Sequence, residues 1–394
     1  MAQRLFNLAT LLTILSFGSQ AAEWSGNITL ESRIFAEDAQ NSEQADTNFS
    51  LSFEPELYHL LSNSRDNIAF TPFIRIDQND DDRSHADIRE LYWQKIAKNW
   101  ELTLGINKVF WGVTETIHLV DIINQTDAIE NIDGEDKLGQ PMAQLTLIRN
   151  WGNLDFFIMP YFRERSFPSI DGRPQLTPLP VDTDNSQYES DDKDQHIDYA
   201  LRWSKYIDIW DIGLSYFRGT NRDPEPILDT GNPGNPVLLP FYSQIEQYGL
   251  DLQATLESWL IKLETIHRRD QFTDFTASAA GFEYTFVGVF DSNTDIGLVG
   301  EHLYDERNNQ PFQNDFALGA RIALNDVQST EILIAMVDDL DGDTYSYFIE
   351  ASRRLGDSYK LNFELRGAGN TNVNDTLYRL EQDRLIQIEL GYYF

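Results

Sequence analysis

The chain has 394 residues, of which 64 are acidic and 30 are basic, and its formal net charge of −34 excludes a protein that binds nucleic-acid phosphates through a basic surface. The absence of cysteine excludes disulfide bonds and thiolate metal sites. No apolar run of about 20 residues follows residue 25, which excludes membrane-spanning helices. With aromatic residues at 12%, the composition leaves two classes, a large soluble β protein and an outer-membrane β-barrel.

Residues 1–21 are expected to be a secretory signal peptide. Arg4 precedes an apolar stretch from Leu5 to Phe17, which is too short to span a bilayer. Ser19 and Ala21 are small residues at the positions that a signal peptidase reads, so cleavage is expected after Ala21. The alternative is a short N-terminal helix of the mature protein. Residues 22–394 are expected to form a single β-barrel domain.

Apolar and polar residues alternate with a period of two from residue 23 to the C-terminus, and turn residues separate the alternating segments. In the first segment, Ile28 and Leu30 share one face, and Glu31 and Arg33 share the other. Each strand therefore has one apolar and one charged face. The pattern predicts about 18 strands, which start near residues 23, 46, 66, 84, 99, 141, 152, 193, 208, 242, 259, 273, 293, 313, 328, 341, 357 and 376.

The predicted connections alternate between short and long. Tight turns fall at residues 98–99, 150–153, 205–208, 257–258 and 356–358, and long connections fall at residues 37–45, 111–140, 165–192 and 219–241. Transmembrane barrels have short periplasmic turns and long outer loops. The alternation predicts an all-β, transmembrane antiparallel barrel of about 18 strands, with 16 as the alternative.

The tryptophans are concentrated at one end of the predicted barrel. Seven of the eight lie beside the tight-turn ends: Trp24, Trp93, Trp100, Trp151, Trp203, Trp210 and Trp259. Such a row is typical of the aromatic girdle at a membrane interface. A soluble sandwich would instead scatter its tryptophans through the core.

The segment from Glu389 to Phe394 alternates apolar residues and ends on an aromatic side chain. It resembles the terminal signal by which the assembly machinery of the bacterial outer membrane recognises barrels. We therefore expect the protein in the outer membrane of a Gram-negative bacterium. Its expected partners are membrane lipid, lipopolysaccharide and that machinery, and not nucleic acid; the pattern does not predict an oligomeric state.

The face of each strand opposite the apolar one is expected to line the lumen, where acidic and basic residues are mixed. The candidate pore-lining residues are Arg33, Arg75, Glu101, Arg163, Arg202, Arg268, Arg321, Glu364 and Arg366. Two interpretations are open. The charges pair along the wall and keep the interior hydrated, or basic and acidic ladders face each other and select a charged or polar solute.

The segment 111–140 is unusual because Ile117, Leu119, Val120, Ile122 and Ile123 make it too apolar for an exposed loop. It is expected to fold inward as a constriction or short plug helix, or to cap the barrel from outside. The candidate residues of this constriction loop are Trp111, Gly112, Asp121, Asn124 and Asp127, of which the last three are spaced to share a helical face.

Leu104–Gly112 followed by Asp121–Asp127 resembles a signature of porin-like bacterial outer-membrane β-barrel proteins. That signature has a Gly-Arg-Gln strand, a Trp-Gly turn and an Asp-x-x-Asn-Pro-x-Asp element. The clear match covers about residues 100–165, with Asn107 in place of Gln and Gln125 in place of Pro. The chain is more loosely similar to alginate-export barrels, whose lumen is basic and not mixed. The resemblance implies a channel or export role.

Two acidic turns and six histidines are the candidates for metal binding or catalysis in this sequence. Asp339, Asp341 and Asp343 have the spacing of calcium ligands, the alternative being a solvated acidic turn, and residues 77–82 form a similar turn. No other cofactor is expected. No histidine lies in a nucleophile or zinc motif, so the protein is not expected to be an enzyme.

The leading hypothesis is an outer-membrane channel for passive diffusion or export of a small polar or charged solute. One alternative is a plugged accessory barrel that partners an inner-membrane exporter or serves as an adhesion platform at the outer surface. The other is a transporter of hydrophobic compounds, for which the apolar segment 117–123 would be the entry site.

Overall fold

A computed structural model describes residues 22–39, 41–61, 65–175, 177–231, 234–307, 310–373 and 375–394. The predicted signal peptide, residues 1–21, lies outside the described residues. The strands are β1 (Glu23–Phe35), β2 (Thr47–Leu60), β3 (Asp66–Asp77), β4 (Ala86–Ile96), β5 (Trp100–Asn107), β6 (Gln140–Arg149), β7 (Gly152–Met159), β8 (Gln187–Tyr188), β9 (Asp198–Ile207), β10 (Trp210–Thr220), β11 (Glu225–Asp229), β12 (Val237–Tyr242), β13 (Gln244–Leu256), β14 (Trp259–Arg269), β15 (Asp274–Phe286), β16 (Asp295–Asp305), β17 (Asn314–Ala323), β18 (Glu331–Asp339), β19 (Tyr345–Leu355), β20 (Tyr359–Gly369) and β21 (Leu385–Tyr393).

Within the described residues, eighteen of these strands form one closed antiparallel barrel, which confirms the predicted fold. Strands adjacent in the barrel are adjacent in the chain, apart from β8, β11 and β12. The first strand closes the barrel by pairing with β2 on one side and with β21 on the other, with Leu30 opposite Leu390. A closed sheet leaves no unpaired edge, so every strand can hydrogen-bond on both sides without water.

Burial along the strands is the inverse of that in a soluble protein. In β1, Leu30 is 53% exposed and Ile34 is 41% exposed, while Glu31 and Arg33 are 1% and 2% exposed. The period of two places the apolar side chains outside and the charged ones inside. Only an apolar solvent around the barrel favours this arrangement.

The strand starts lie close to the predicted ones, with two larger differences. β9 begins at Asp198 and not near residue 193, because a 3-10 turn occupies Lys193–Gln195. β21 begins at Leu385 and not near residue 376, because residues 370–384 form another long connection that contains the helix α1 (Tyr378–Gln382).

The long connections meet at the end of the barrel opposite the tight turns, and we call this end the outer end. Strands β8, β11 and β12 form a small sheet there, built from the connections that follow β7 and β10. Arg173 ties three connections together, because its buried guanidinium donates to Asp383 (2.8 Å), to Asp46 (3.1 Å) and to the carbonyl oxygen of Glu37 (3.1 Å).

The tryptophans at the tight-turn end face outward. Trp24, Trp151, Trp210 and Trp259 are between 38% and 56% exposed, as expected for side chains at a membrane interface. Trp111 alone among the eight is buried, at 4% exposure, and it lies inside the barrel. Among the described residues, no helix is both long enough and apolar enough to cross a bilayer.

The C-terminal residue continues the barrel closure beyond β21. The backbone N–H of Phe394 donates to the carbonyl oxygen of Gly26 (3.1 Å), and its ring stacks on Phe53 with centroids 6.4 Å apart. Replacement of Phe394 by Ala removes the ring and the terminal aromatic residue together. We expect slower barrel insertion, measured as the fraction of chains with heat-modifiable gel migration over time.

Phe290→Ala is the matched control, because Phe290 lies in the tight connection between β15 and β16 and is 91% exposed. It should assemble at the normal rate. Normal assembly of the Phe394 variant would contradict a role for the terminal residue.

Candidate functional site in the lumen

The connection between β5 and β6, residues 108–139, folds into the barrel and not over it. We call it the inward loop. It contains turns and isolated bridges, and no helix forms among its residues, so the predicted shared helical face of Asp121, Asn124 and Asp127 does not exist. A chain without regular structure inside a barrel must find partners for its backbone N–H and C=O groups.

Glu264 on β14 supplies many of these partners. Its side chain is 0% exposed, and its carboxylate accepts hydrogen bonds from the backbone N–H groups of Val113 (2.6 Å), Thr114 (3.0 Å) and Val120 (3.2 Å). The hydroxyl of Thr114 also donates to it (2.7 Å). A buried carboxylate is stable only when such donors surround it. Glu264 therefore fixes the first half of the inward loop to the wall.

Gly112 lets the inward loop approach Glu264. Its φ of +146° lies in a region that side chains rarely adopt, and a Cβ atom there would lie 3.0 Å from both Glu264 Oε1 and His118 Nδ1. Glycine is the residue that meets both requirements. The glycine of the Trp111-Gly112 pair thus has a structural reason, although the structure forms no turn at these two residues.

Glu301 on β16, two strands further round the barrel, also accepts hydrogen bonds from backbone N–H groups of the inward loop. Its two carboxylate oxygens accept hydrogen bonds from the N–H groups of Glu115 (2.7 Å) and Thr116 (2.8 Å). The side chain of Glu115 then binds Arg321 on β17 (2.6 Å). The tip of the inward loop is therefore held by three neighbouring parts of the wall.

The second half of the inward loop is held by cations on the opposite side of the barrel. Arg75 on β3 forms hydrogen bonds to both oxygens of Glu130, the closest at 2.6 Å, and Arg89 on β4 binds Asp127 (2.6 Å). Arg33 on β1 donates to the carbonyl oxygen of Glu130 (2.5 Å). These side chains are 9% exposed or less, so charge pairing without water holds this half.

Apolar packing fills the space between the inward loop and one half of the wall. Val120, Ile122 and Ile123 are at most 2% exposed. They form one cluster with Trp111 and with wall residues Met142, Phe157, Met159, Ala200, Phe217, Ile245, Ile266, Phe275 and Ala277. Burial of this surface stabilises the inward position by roughly 25 cal/mol per Å² of apolar area.

A polar cavity of about 810 Å³ remains beside the inward loop. Its wall is formed by β1, β2, β3 and β17–β21, and its other side by the inward loop. The lining extends from Glu331 and Lys360, at the tight-turn end, to Arg366 and Gln387 near the outer end. The cavity therefore follows the barrel wall over most of the strand length.

The predicted pore-lining residues fall into two groups. Arg75, Arg321, Glu364 and Arg366 line this cavity. Arg33, Arg202 and Arg268 do not line it, and they bind Gln387, Asp251 and Gln247 respectively. Arg163 lies beyond β7 and binds Asp87, and Glu101 lies half-buried on β5. Their assignment as pore lining stays a prediction.

The predicted residues of the constriction loop are brought together within it. The side chain of Asn124 accepts from the N–H of Val109 (2.8 Å) and donates to the carbonyl oxygens of Asn107 and Leu138 (both 2.9 Å), which clamps the two ends of the loop. Asp121 binds Lys137 (3.2 Å). The indole of Trp111 packs against Phe157 and beneath Arg202.

Sequence reasoning missed several residues that organise the lumen, chiefly Arg83, Glu130 and Glu301. Arg83 follows the acidic turn at residues 77–82, yet its guanidinium is buried and binds Glu31 and Asp77 (both 2.8 Å). This turn is therefore partly buried and not simply solvated. The signal in the sequence that could have identified Arg83 is its position directly after an acidic run.

The inward loop contains ionisable groups with altered pKa values. Burial lowers the pKa of His118, but its 2.8 Å contact with Glu135 and the nearby Glu264 outweigh that effect and raise the pKa to about 10. Desolvation inside the barrel and the neighbouring carboxylates of Asp133 and Glu130 raise the pKa of Asp136 to about 7. The Asp136 side chain is nevertheless exposed to the cavity.

One group of side chains has the spacing of metal ligands. Among the described residues, His85, Asp127 and Glu130 alone bring three ligand atoms within 4.8 Å of one another. Arg75 and Arg89 already occupy the two carboxylates, and their charges oppose a cation. At the predicted calcium turn, Asp339 accepts from the N–H of Asp341 (2.9 Å), and calcium binding there stays a prediction.

Replacement of Glu264 by Ala should release the first half of the inward loop. Four donors lose their acceptor, and each hydrogen bond to a charged group contributes about 1.5–3 kcal/mol to the stability of the folded state. We expect cleavage of the loop by proteinase K to be at least roughly tenfold faster, because local opening becomes that much more frequent. Mass spectrometry of the fragments measures it.

Glu283→Ala is the matched control for this variant. Glu283 lies on β15, where Arg321 is 3.8 Å away, and it accepts no hydrogen bond from the inward loop in the described structure. Equal cleavage rates for the two variants would contradict the anchoring role of Glu264.

The ring of His118 should titrate near pH 10. Because this folded-state pKa exceeds the ordinary value of 6.5, protonated His118 stabilises the folded loop fully below about pH 6.5. That stabilisation is lost as the pH rises through about 10. NMR titration of the ring measures the midpoint, and Glu135→Gln should lower it. A midpoint near 6.5 in the unchanged protein would disprove the pairing.

No family model and no curated protein sequence matches this chain. Among solved structures, Wzi, an Escherichia coli outer-membrane protein involved in group 1 capsule assembly and described as a carbohydrate-binding β-barrel, superposes with a TM-score of 0.52 at 11% identity, over 99% of this chain and 87% of that one. A mutant of Rh. blastica porin superposes with a TM-score of 0.45 at 11% identity, over 95% of this chain and 100% of that one. The likeness to Wzi shows that this chain has the fold of an outer-membrane β-barrel.

Proposed function

We propose that the protein is a channel of the bacterial outer membrane, through which a small polar or charged solute diffuses beside the inward loop. The polar cavity of about 810 Å³ along the wall is the observation that carries this proposal. Lipid and lipopolysaccharide would surround the exposed apolar face, and the barrel assembly machinery would insert the chain. No chemical step is proposed.

The contrast between the two sides of the lumen supports a passage on one side. Val120, Ile122 and Ile123 fill the space beside the apolar half of the wall, from β6 to β15. The polar half, from β17 round to β3, keeps its charged side chains around the cavity. A lumen lined by charged groups conducts polar solutes and opposes hydrophobic ones. The polar lining therefore favours a channel over a transporter of hydrophobic compounds.

The plugged accessory barrel remains as the second candidate, and one observation favours it. The inward loop is anchored on opposite sides of the barrel, by Glu264 on β14 and by Arg75 on β3, and Arg173 ties the outer connections together. A barrel held in this way would conduct little at rest. Conductance of the unchanged protein separates the two candidates.

Deletion of residues 114–134 should widen the channel. These residues fill the apolar half of the lumen, so their removal joins that space to the cavity. We expect single-channel conductance in a planar bilayer to rise roughly twofold or more, because conductance increases with the open cross-section.

The control is the deletion of residues 226–240, which removes most of β11 and β12 from the small sheet at the outer end and leaves the inward loop intact. It should leave the conductance close to that of the unchanged protein. If the unchanged protein does not conduct and the variant without residues 114–134 does, the result would support the plugged barrel. Equal conductance with and without residues 114–134 would contradict a narrowing role.

A further inference from the structure

We infer that the passage beside the inward loop selects small cations over anions. This inference rests on the proposed channel function and adds the class of solute. It comes from how the charges around the cavity are paired.

The ionisable groups that line the cavity are mostly acidic. Eleven carboxylates face it against four Lys or Arg side chains and His118. The acidic residues are Glu31, Glu54, Glu115, Glu130, Asp133, Glu135, Asp136, Glu331, Glu350, Glu364 and Glu389. The excess of negative charge therefore persists even with His118 protonated.

The lining arginines are bound to carboxylates. Arg75 binds Glu31 (3.2 Å) and Glu130 (2.6 Å). Arg321 binds Glu115 (2.6 Å). Arg366 contacts three carboxylates, those of Asp133, Glu350 and Glu364. Each arginine thus has its charge compensated locally and offers little attraction to a passing anion.

Several carboxylates have no such compensation. For Glu54, Asp136, Glu331 and Glu389, the described residues provide no salt bridge within 4.0 Å. Glu389 accepts hydrogen bonds from the amides of Asn362 and Gln387, which leave its charge in place. Negative charge therefore remains on the wall at β2, β18 and β21.

These carboxylates surround the passage and do not converge on one point. Glu54 lies in the middle of β2, Glu331 begins β18 at the tight-turn end, and Asp136 lies on the inward loop. None of the three belongs to the group of described residues with metal-ligand spacing. The arrangement therefore produces a negative potential along a path and not a site for one bound ion.

The surroundings strengthen that potential. A narrow space with low-dielectric walls concentrates the field of its charges and raises the local concentration of the opposite ion. Rings of acidic side chains are a common basis of cation selectivity in channels. Two of the aromatic rings that line the cavity are covered by arginines, Phe73 by Arg75 (5.7 Å) and Phe348 by Arg366 (5.4 Å). Charge is therefore the main recognition principle.

The test measures reversal potentials of the mature protein in planar bilayers under a gradient of KCl. At about 0.1 M salt we expect a permeability ratio of K⁺ to Cl⁻ of roughly five or more. The ratio should fall toward one near 1 M, because the screening length shrinks from about 10 Å to about 3 Å.

The double variant Glu54→Gln/Glu331→Gln should lower the ratio at least twofold while the channel still conducts. Glu43→Gln is the matched control, since Glu43 is an exposed residue of the connection between β1 and β2, outside the cavity lining. It should keep the ratio of the unchanged protein.

The outcomes separate the inference from the function on which it rests. Conductance with no preference, or with a preference for Cl⁻, would overturn cation selectivity and leave the channel intact. A selective channel whose ratio is unchanged in the double variant would overturn the role of these carboxylates. No conductance from protein that is folded by gel migration would overturn the proposed function itself.

Discussion

Charged side chains on the inner face of the barrel must find partners inside it, and the inward loop provides many of them. Glu264 and Glu301 are buried carboxylates that would be costly without donors, and the loop offers backbone N–H groups to both. Arg75 and Arg89 are buried cations that the loop neutralises with Glu130 and Asp127. The wall and the inward loop therefore supply the hydrogen-bond and charge partners that each other's buried polar groups need.

This mutual dependence explains how a segment without helix or strand can lie within a barrel. Its backbone groups are bound by wall side chains, and its apolar residues have a matching apolar surface. Ile266 illustrates that surface, because it lies on the inward face of β14 between Glu264 and Arg268. The loop packs where the inward residues are apolar and binds charged residues such as Glu264 on β14, while the cavity remains beside β17–β21 and β1–β3. The sequence of the wall thus decides where the open space lies.

The barrel itself could be predicted because its signal is local. A period of two, short turns and long loops can be detected within ten or twenty residues, and the predicted number of strands was correct. The prediction was wrong where apolar residues recur without forming a strand, as at residues 376–384. It also gave a helical spacing to Asp121, Asn124 and Asp127, whose hydrogen bonds instead fix turns.

The partners in the lumen could not be predicted, because they are far apart in the chain. Glu264 lies about 150 residues from Thr114, and Glu301 lies 186 residues from Glu115. No local pattern shows which inward carboxylate meets which donor. Apolar residues on an otherwise charged face, such as Ile266, were the signal that something covers that part of the wall.

The most direct test of the account is a disulfide between the inward loop and the wall. The chain has no cysteine, and a Cβ atom at Gly249 on β13 would lie 3.6 Å from Cβ of Val120, within the range that a disulfide requires. Ser215 is replaced by Ala in every variant, because its Oγ would lie 2.4 Å from the new Cβ atom. The variant Val120→Cys/Gly249→Cys, oxidised in folded protein, should lose both free thiols, while each single-cysteine variant keeps its thiol. Conductance should persist, because the cavity lies on the other side of the lumen. Two free thiols in the folded, oxidised double variant would show that the loop does not lie inside the barrel, and would contradict the account.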